Sequence, residues 1–171
     1  MNQIIFIIGV TGSGKTTVGR LLSEKTGISF FDADNFHTTA NIKKMQGGTP
    51  LTDDDRAQWL ENINRLAREQ MKLEGAIIAC SALKENYRSI LRNGVDKVVW
   101  ILLEGGYSLI YNRMKKRKGH YMPPELLQSQ FDILEVPDYG LHVNVKDTPE
   151  KVVETIIDQL RLPGHDSKTK Y

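Results

Sequence analysis

The sequence predicts an α/β domain in which helices cover both faces of a parallel sheet, and three observations predict it. Short apolar runs alternate with amphipathic stretches along the chain, the pattern of repeated βαβ units. Several of those runs are apolar at nearly every position, as expected of strands covered on both faces. The first run passes directly into a glycine-rich loop that opens a helical pattern.

Taken in order, the expected strands are residues 3–8, 29–32, 76–80, 97–103 and 141–145. The first helix begins within 14–17 and stops near Gly27, a residue suited to a left-handed C-cap. A long helix follows Thr52, whose hydroxyl can cap it, with Asp53, Asp54 and Asp55 in its first turn. Its apolar stripe is Trp59, Leu60, Ile63, Leu66, Ala67 and Met71, ending before Gly75. Further helices are expected over about 83–92, from 108 towards 118, and from Pro123-Pro124 through 134. The last has Thr148 as N-cap and Pro149 at its first position, and stops before Pro163-Gly164. The polar stretch 164–171 reads as a frayed tail.

A chain of 171 residues suits one domain, 1–171, with one substantial core, and its 40% apolar and 26% charged residues are those of an ordinary soluble protein. A net charge of +2 gives no compositional case for a nucleic-acid partner. The single cysteine, Cys80, excludes an internal disulfide framework and a cysteine-based zinc site. It reads as a small buried residue. No apolar run approaches the length of a membrane span, and the apolar start lacks the basic flank of a signal peptide. A cytoplasmic location is the expectation.

Gly9-Val10-Thr11-Gly12-Ser13-Gly14-Lys15-Thr16 fits G-x-x-x-x-G-K-[ST], between a strand and a helix where the motif has meaning. Glycines let successive N–H groups turn inward onto phosphate oxygens, and the following helix adds its positive end. This loop, with Thr17 next along, is expected to hold ATP. Lys15 reaches the terminal phosphates, and the Thr16 hydroxyl ligates Mg²⁺. A guanine-selective N-K-x-D is absent, since Asn144-Val145-Lys146-Asp147 has another order. The third strand ends Ala79-Cys80-Ser81 without the usual acid, so Asp32 becomes the expected supplier of a carboxylate to the metal.

Phe31-Asp32-Ala33-Asp34 closes the second strand at the edge where such sheets bind ligands. If the strand continued, both carboxylates would point one way, Asp32 toward Mg²⁺ and Asp34 toward an acceptor hydroxyl. A pair of turn-capping residues would look the same. His37 follows, either as an acceptor contact or as a hydrogen-bonded surface residue, and Lys43, Lys44 and Met45 could form a helix over the site. Arg56 can hold an anionic group in a bidentate contact. Lys84, Tyr87 and Arg88 lie on or near one helical face, which is either an acceptor wall or a solvated surface.

Arg113, Lys115, Lys116, Arg117 and Lys118 crowd one stretch before Gly119-His120-Tyr121. A solvated helix end, a nucleic-acid patch and a mobile lid over about 113–124 all produce such a run. Arg113 and Arg117 lie four apart and share a face, which suits a lid whose arginines close on phosphates.

These residues resemble the P-loop gluconate kinase family. The likeness runs from Gly9 to about Pro137 and then more loosely. Besides the phosphate loop it rests on Asp32-Ala33-Asp34 with His37, Asn41 with Lys44-Met45, and Gly48-Thr49-Pro50-Leu51-Thr52-Asp53-Asp54-Asp55-Arg56 with Trp59-Leu60. It continues in Ser81-Ala82-Leu83-Lys84 with Tyr87-Arg88, in Arg113, Arg117 and His120-Tyr121, and in Ser129-Gln130-Phe131, Leu134-Glu135 and Pro137. Ala33, Thr38, Tyr121 and Glu104-Gly105-Gly106 depart from the common pattern. The resemblance implies the three-layer P-loop kinase fold of shikimate and nucleoside monophosphate kinases: five parallel strands in the order 2-3-1-4-5, helices on both faces, and a lid. It implies ATP-dependent phosphorylation of the 6-hydroxyl of D-gluconate, often by a homodimer; charge and apolar run lengths lead to the expectation of no nucleic-acid or membrane partner. Lys15, Asp34 and Arg117 are the expected catalytic residues. Asp34, His37, Arg56, Lys84, Tyr87, Arg88 and His120 are expected at the acceptor. The adenine is expected near 147–149, against Pro149 and Arg113.

Overall fold

A computed structural model describes residues 2–117 and 123–164. Five strands, β1 (Ile4–Ile8), β2 (Phe30–Asp32), β3 (Ala76–Ala79), β4 (Val98–Glu104) and β5 (Leu141–Asn144), form one sheet in the order β2-β3-β1-β4-β5. Every pairing is parallel, with Phe6 opposite Ile78 on one side and Trp100 on the other. This is the order the resemblance implied.

The side-chain alternation of β1 divides the core. Ile4, Phe6 and Ile8 face α3 (Asp53–Lys72), whose Trp59, Leu60, Ile63 and Ala67 are buried beside Ile78, Trp100 and Leu102. Ile5 and Ile7 face the opposite layer, where Val18 and Leu22 of α1 (Lys15–Thr26) meet Val152, Val153 and Ile156 of α7 (Pro149–Leu160). Both faces of the central strand are fully buried, which explains its unbroken apolar run.

Helix ends follow local chemistry. Thr52 and Asp55 form a reciprocal capping box at the start of α3, and the Thr148 hydroxyl accepts from Lys151 N–H at the start of α7. Gly27 ends α1 with φ 77°. The stretch 39–46 forms α2 (Thr39–Gln46), capped by Thr38. The helix expected from 83 begins later, as α4 (Glu85–Arg92), because Ala82 has φ 42° and Lys84 is extended. The run from 107 gives α5 (Tyr107–Lys116). The helix expected from Pro123 divides into a 3₁₀ turn, Pro124–Leu126, and α6 (Leu127–Ile133). The second strand does not continue past Asp32: Ala33–Phe36 is a 3₁₀ turn, so the simple alternation expected for Asp32 and Asp34 is replaced by a capped turn.

Candidate active site at the phosphate loop

The loop between β1 and α1 is the shared wall of two clefts. On one side lie Lys15, Thr11, Asp34, His37, Met45, Leu51, Arg56, Trp59, Ser81 and Gln130. On the other lie Gly12, Ser13, Gly14 and Thr17 with Arg113, Arg117, Val145, Asp147 and Pro149. The first cleft is rich in polar groups, and the second is walled by Val18, Val145, Pro149 and Val152. A flat apolar ring suits the second wall, and a hydroxylated acid suits the first.

The loop is drawn in tightly. Gly12 has φ 75°, and a Cβ there would lie 2.5 Å from Met114 Cγ on α5, so a side chain would be both strained and blocked. The Lys15 ammonium donates to the carbonyls of Gly9 at 3.0 Å and Val10 at 2.9 Å. Burial lowers its pKa, while Asp34 and Asp32 pull the other way. Ser13 Oγ is buried with no hydrogen-bond partner, a group suited to a phosphate oxygen. Cys80, beneath the site, is pushed up to about 12 by burial and by Asp34, and stays an inert thiol.

Asp32 performs two tasks. Its Oδ1 accepts from Asp34 N–H at 3.0 Å, capping the 3₁₀ turn, and its Oδ2 accepts from Thr16 Oγ1 at 2.6 Å. The turn-capping alternative is therefore realised together with the placement beside Thr16. A hydroxyl and a carboxylate oxygen are hard donors, and Mg²⁺ characteristically takes only one or two protein ligands beside water and phosphate. The pair fits that ion. Among the described residues there is no cluster of three or more His, Cys, Asp or Glu able to hold a metal without a substrate.

His37 stacks on Trp59, ring centroids 4.2 Å apart and 11° from parallel, while Trp59 Nε1 donates to Ala33 O at 2.7 Å. Burial, then the Arg56 charge, lowers the imidazole to about 4, against a smaller opposite effect of Asp32, and its Nδ1 has no partner. The ring thus faces the cleft uncharged. Arg56 is 9% exposed and donates through Nη1 to Leu51 O at 2.7 Å and Tyr87 Oη at 3.1 Å.

Tyr87 and Lys84 lie behind this wall. Both contact Asp53: Lys84 Nζ at 3.1 and 3.3 Å, and the Tyr87 hydroxyl in a short hydrogen bond. Arg88 is placed elsewhere. It is 1% exposed and donates to Ala82 O, Glu135 O, Glu85 and Tyr139, so its guanidinium is consumed inside the protein and does not line the acceptor cleft. Neither of the alternatives read from the sequence, acceptor wall or solvated face, describes it. Arg113 Nη2 donates to Val145 O at 2.6 Å. His120 and the centre of the expected lid lie outside the described residues.

Sequence reasoning left Trp59 in the core stripe and gave Gln130 no role, yet both line the acceptor cleft. Gln130 Oε1 accepts from the Thr11 N–H at 2.6 Å, a contact between residues 119 positions apart that no local spacing reveals.

The Shikimate kinase family model matches residues 11–161. A gluconokinase of Arabidopsis thaliana is 39% identical over 92% of this chain and 92% of its own length. The thermosensitive gluconokinase of Escherichia coli K12 is 45% identical over 79% of this chain and 73% of its own. The chain belongs to the shikimate kinase family, on its gluconokinase branch. A crystal structure of a gluconokinase from Sinorhizobium meliloti 1021 superposes with a TM-score of 0.84 at 37% identity, covering 93% of this chain and 91% of that one. The gluconokinase branch thus shares both the sequence and the five-stranded fold. Among the described residues no helix is long and apolar enough to cross a membrane.

Proposed function

We propose that this chain transfers the γ-phosphoryl group of ATP to the 6-hydroxyl of D-gluconate, giving 6-phospho-D-gluconate. The observation that carries the reading is that one phosphate loop walls two clefts, with Lys15 and Asp34 facing the polar one. Membership of the gluconokinase branch supplies the acceptor.

The roles follow from the groups. ATP lies with its phosphates on residues 9–17, where the backbone N–H groups, Ser13 Oγ and the Lys15 ammonium neutralise charge, and with its adenine between Arg113 and Pro149. Lys15 leaves the carbonyls of Gly9 and Val10 and turns to the phosphate, exchanging two neutral acceptors for an anionic one. Thr16 and Asp32 would hold Mg²⁺, directly or through water, and the ion would supply positive charge against the triphosphate. Asp34 accepts a hydrogen bond from the acceptor hydroxyl, aligns its lone pair with phosphorus and takes up its proton. Arg56 meets the acid end, and neutral His37 meets a hydroxyl. Arg117, at the end of α5, lines the second cleft beside Arg113 and supplies positive charge to the transferring phosphate; His120 lies outside the described residues. Lys84 and Tyr87 hold Asp53 and so brace Arg56. The reading includes a homodimer, supported by the resemblance, and a cytoplasmic location, supported by the sequence; sedimentation and fractionation test them.

A coupled ATPase assay over gluconate, other aldonates, shikimate and nucleoside monophosphates tests the reaction. Gluconate is expected to be the best acceptor, with ³¹P NMR placing a phosphomonoester on C6. Turnover confined to a nucleotide or to shikimate would overturn the reading.

A further inference from the structure

We propose that Gln130 is a specificity-determining residue that presents an amide –NH₂ to an anionic polyhydroxy acceptor while its oxygen holds the phosphate loop. The inference rests on the gluconate kinase reading and adds a contact to it. Gln130 projects from α6, is 8% exposed, and lines the polar cleft with Lys15, Asp34, His37 and Arg56.

The orientation of its amide is dictated by chemistry. The Thr11 backbone N–H, 2.6 Å away, can only donate, so the atom facing it is the oxygen. The –NH₂ end, with two donors, is left to whatever enters the cleft. Asp34 offers acceptors there, and Arg56 and Gln130 each bring N–H donors to the wall away from the loop lysine. A hydroxylated carboxylate needs several such donors.

The Gln130 amide oxygen is tied directly to the loop by the Thr11 N–H, and just beyond α6 the Glu135 N–H bonds Leu83 O at 2.8 Å, joining that segment to another wall of the cleft. A shift of the amide on acceptor binding therefore reaches Thr11, and a coupling of this kind acts equally in both directions.

Two variants separate the halves of the proposal. Q130E keeps an oxygen for the Thr11 N–H but offers the cleft a carboxylate. Q130M loses both contacts at similar length. Steady-state kinetics and amide hydrogen exchange at Thr11 are measured on each. Q130E is expected to raise the gluconate KM at least about tenfold, leave the ATP KM within about twofold, and keep Thr11 exchange at the wild-type rate. Q130M is expected to raise both KM values and speed Thr11 exchange. An unchanged gluconate KM in either variant overturns the acceptor contact, and unchanged Thr11 exchange in Q130M overturns the tie to the loop. The wild-type control keeps the two readings apart: with no gluconate turnover in wild type both fall, whereas normal wild-type turnover with unaffected variants sinks Gln130 alone.

Discussion

Thr16 and Asp32 meet at 2.6 Å, joining the first turn of α1 to the end of β2. The same carboxylate caps the turn that carries Asp34, so in the proposed mechanism one side chain would serve both the metal and the alignment of Asp34. In D32N the amide oxygen can still accept from Asp34 N–H, but the nitrogen turns to Thr16 and the charge is gone. The Mg²⁺ concentration for half-maximal rate is expected to rise at least about tenfold while the melting temperature changes little. A Mg²⁺ titration identical to wild type would remove Asp32 from the metal site.

Lys15 and Asp34 face one cleft from opposite elements. K15A is expected to lose phosphoryl transfer by about a thousandfold or more with a native circular dichroism spectrum. D34N should lower kcat by about a hundredfold or more and leave ATP affinity, measured with a non-hydrolysable analogue, nearly unchanged. Equal losses of turnover and nucleotide affinity in D34N would mark a structural aspartate instead.

His37 gives a pH signature. Its folded pKa of about 4 lies below its ordinary 6.5, chiefly because the ring is buried on Trp59. Between those values the unfolded chain binds the extra proton, so stability rises with pH through this window and is lost as pH falls from 6.5 towards 4. Urea melts across that range should show a steeper acid loss for wild type than for H37Q. Parallel curves would mean that the ring is not desolvated.

Much of this was legible in the sequence because it is local. The phosphate loop, the Thr52 cap and the apolar stripe of α3 depend on neighbours within a turn or two. Asp32 bonds Thr16 at the loop, and the 3₁₀ turn at Ala33–Phe36, not a continued strand, sets the position of Asp34 relative to it. Trp59 was read as a core residue since a stripe position says nothing about which end of the helix reaches a cleft. Gln130 reaches the Thr11 N–H 119 positions away, and Arg88 joins the nearby Ala82 carbonyl to the Glu135 carbonyl 47 positions away, in each case through backbone groups. Backbone partners leave no residue-type signal.

Arg88 therefore carries the last prediction. Its guanidinium donates to Ala82 O at 2.8 Å and Glu135 O at 2.7 Å, closing the β3–α4 loop against the segment after α6. Ala82 is held there at φ 42°, a conformation that costs a non-glycine residue about 1 kcal/mol or more. The neighbouring Ser81 lines the acceptor cleft, so the clamp fixes that wall without touching a ligand. Lysine cannot span the same acceptors, and R88K is expected to lose about 3 kcal/mol of stability and to raise the acceptor KM more than the ATP KM. A82G relieves the strain but frees the unfolded chain, so alone it should shift stability by about 1 kcal/mol at most. In the R88K background, where nothing holds the strained carbonyl, glycine should restore part of the acceptor KM. The R88K/A82G double mutant is then less impaired than the two single effects summed, and strict additivity in both stability and acceptor KM would show that Arg88 and Ala82 act independently.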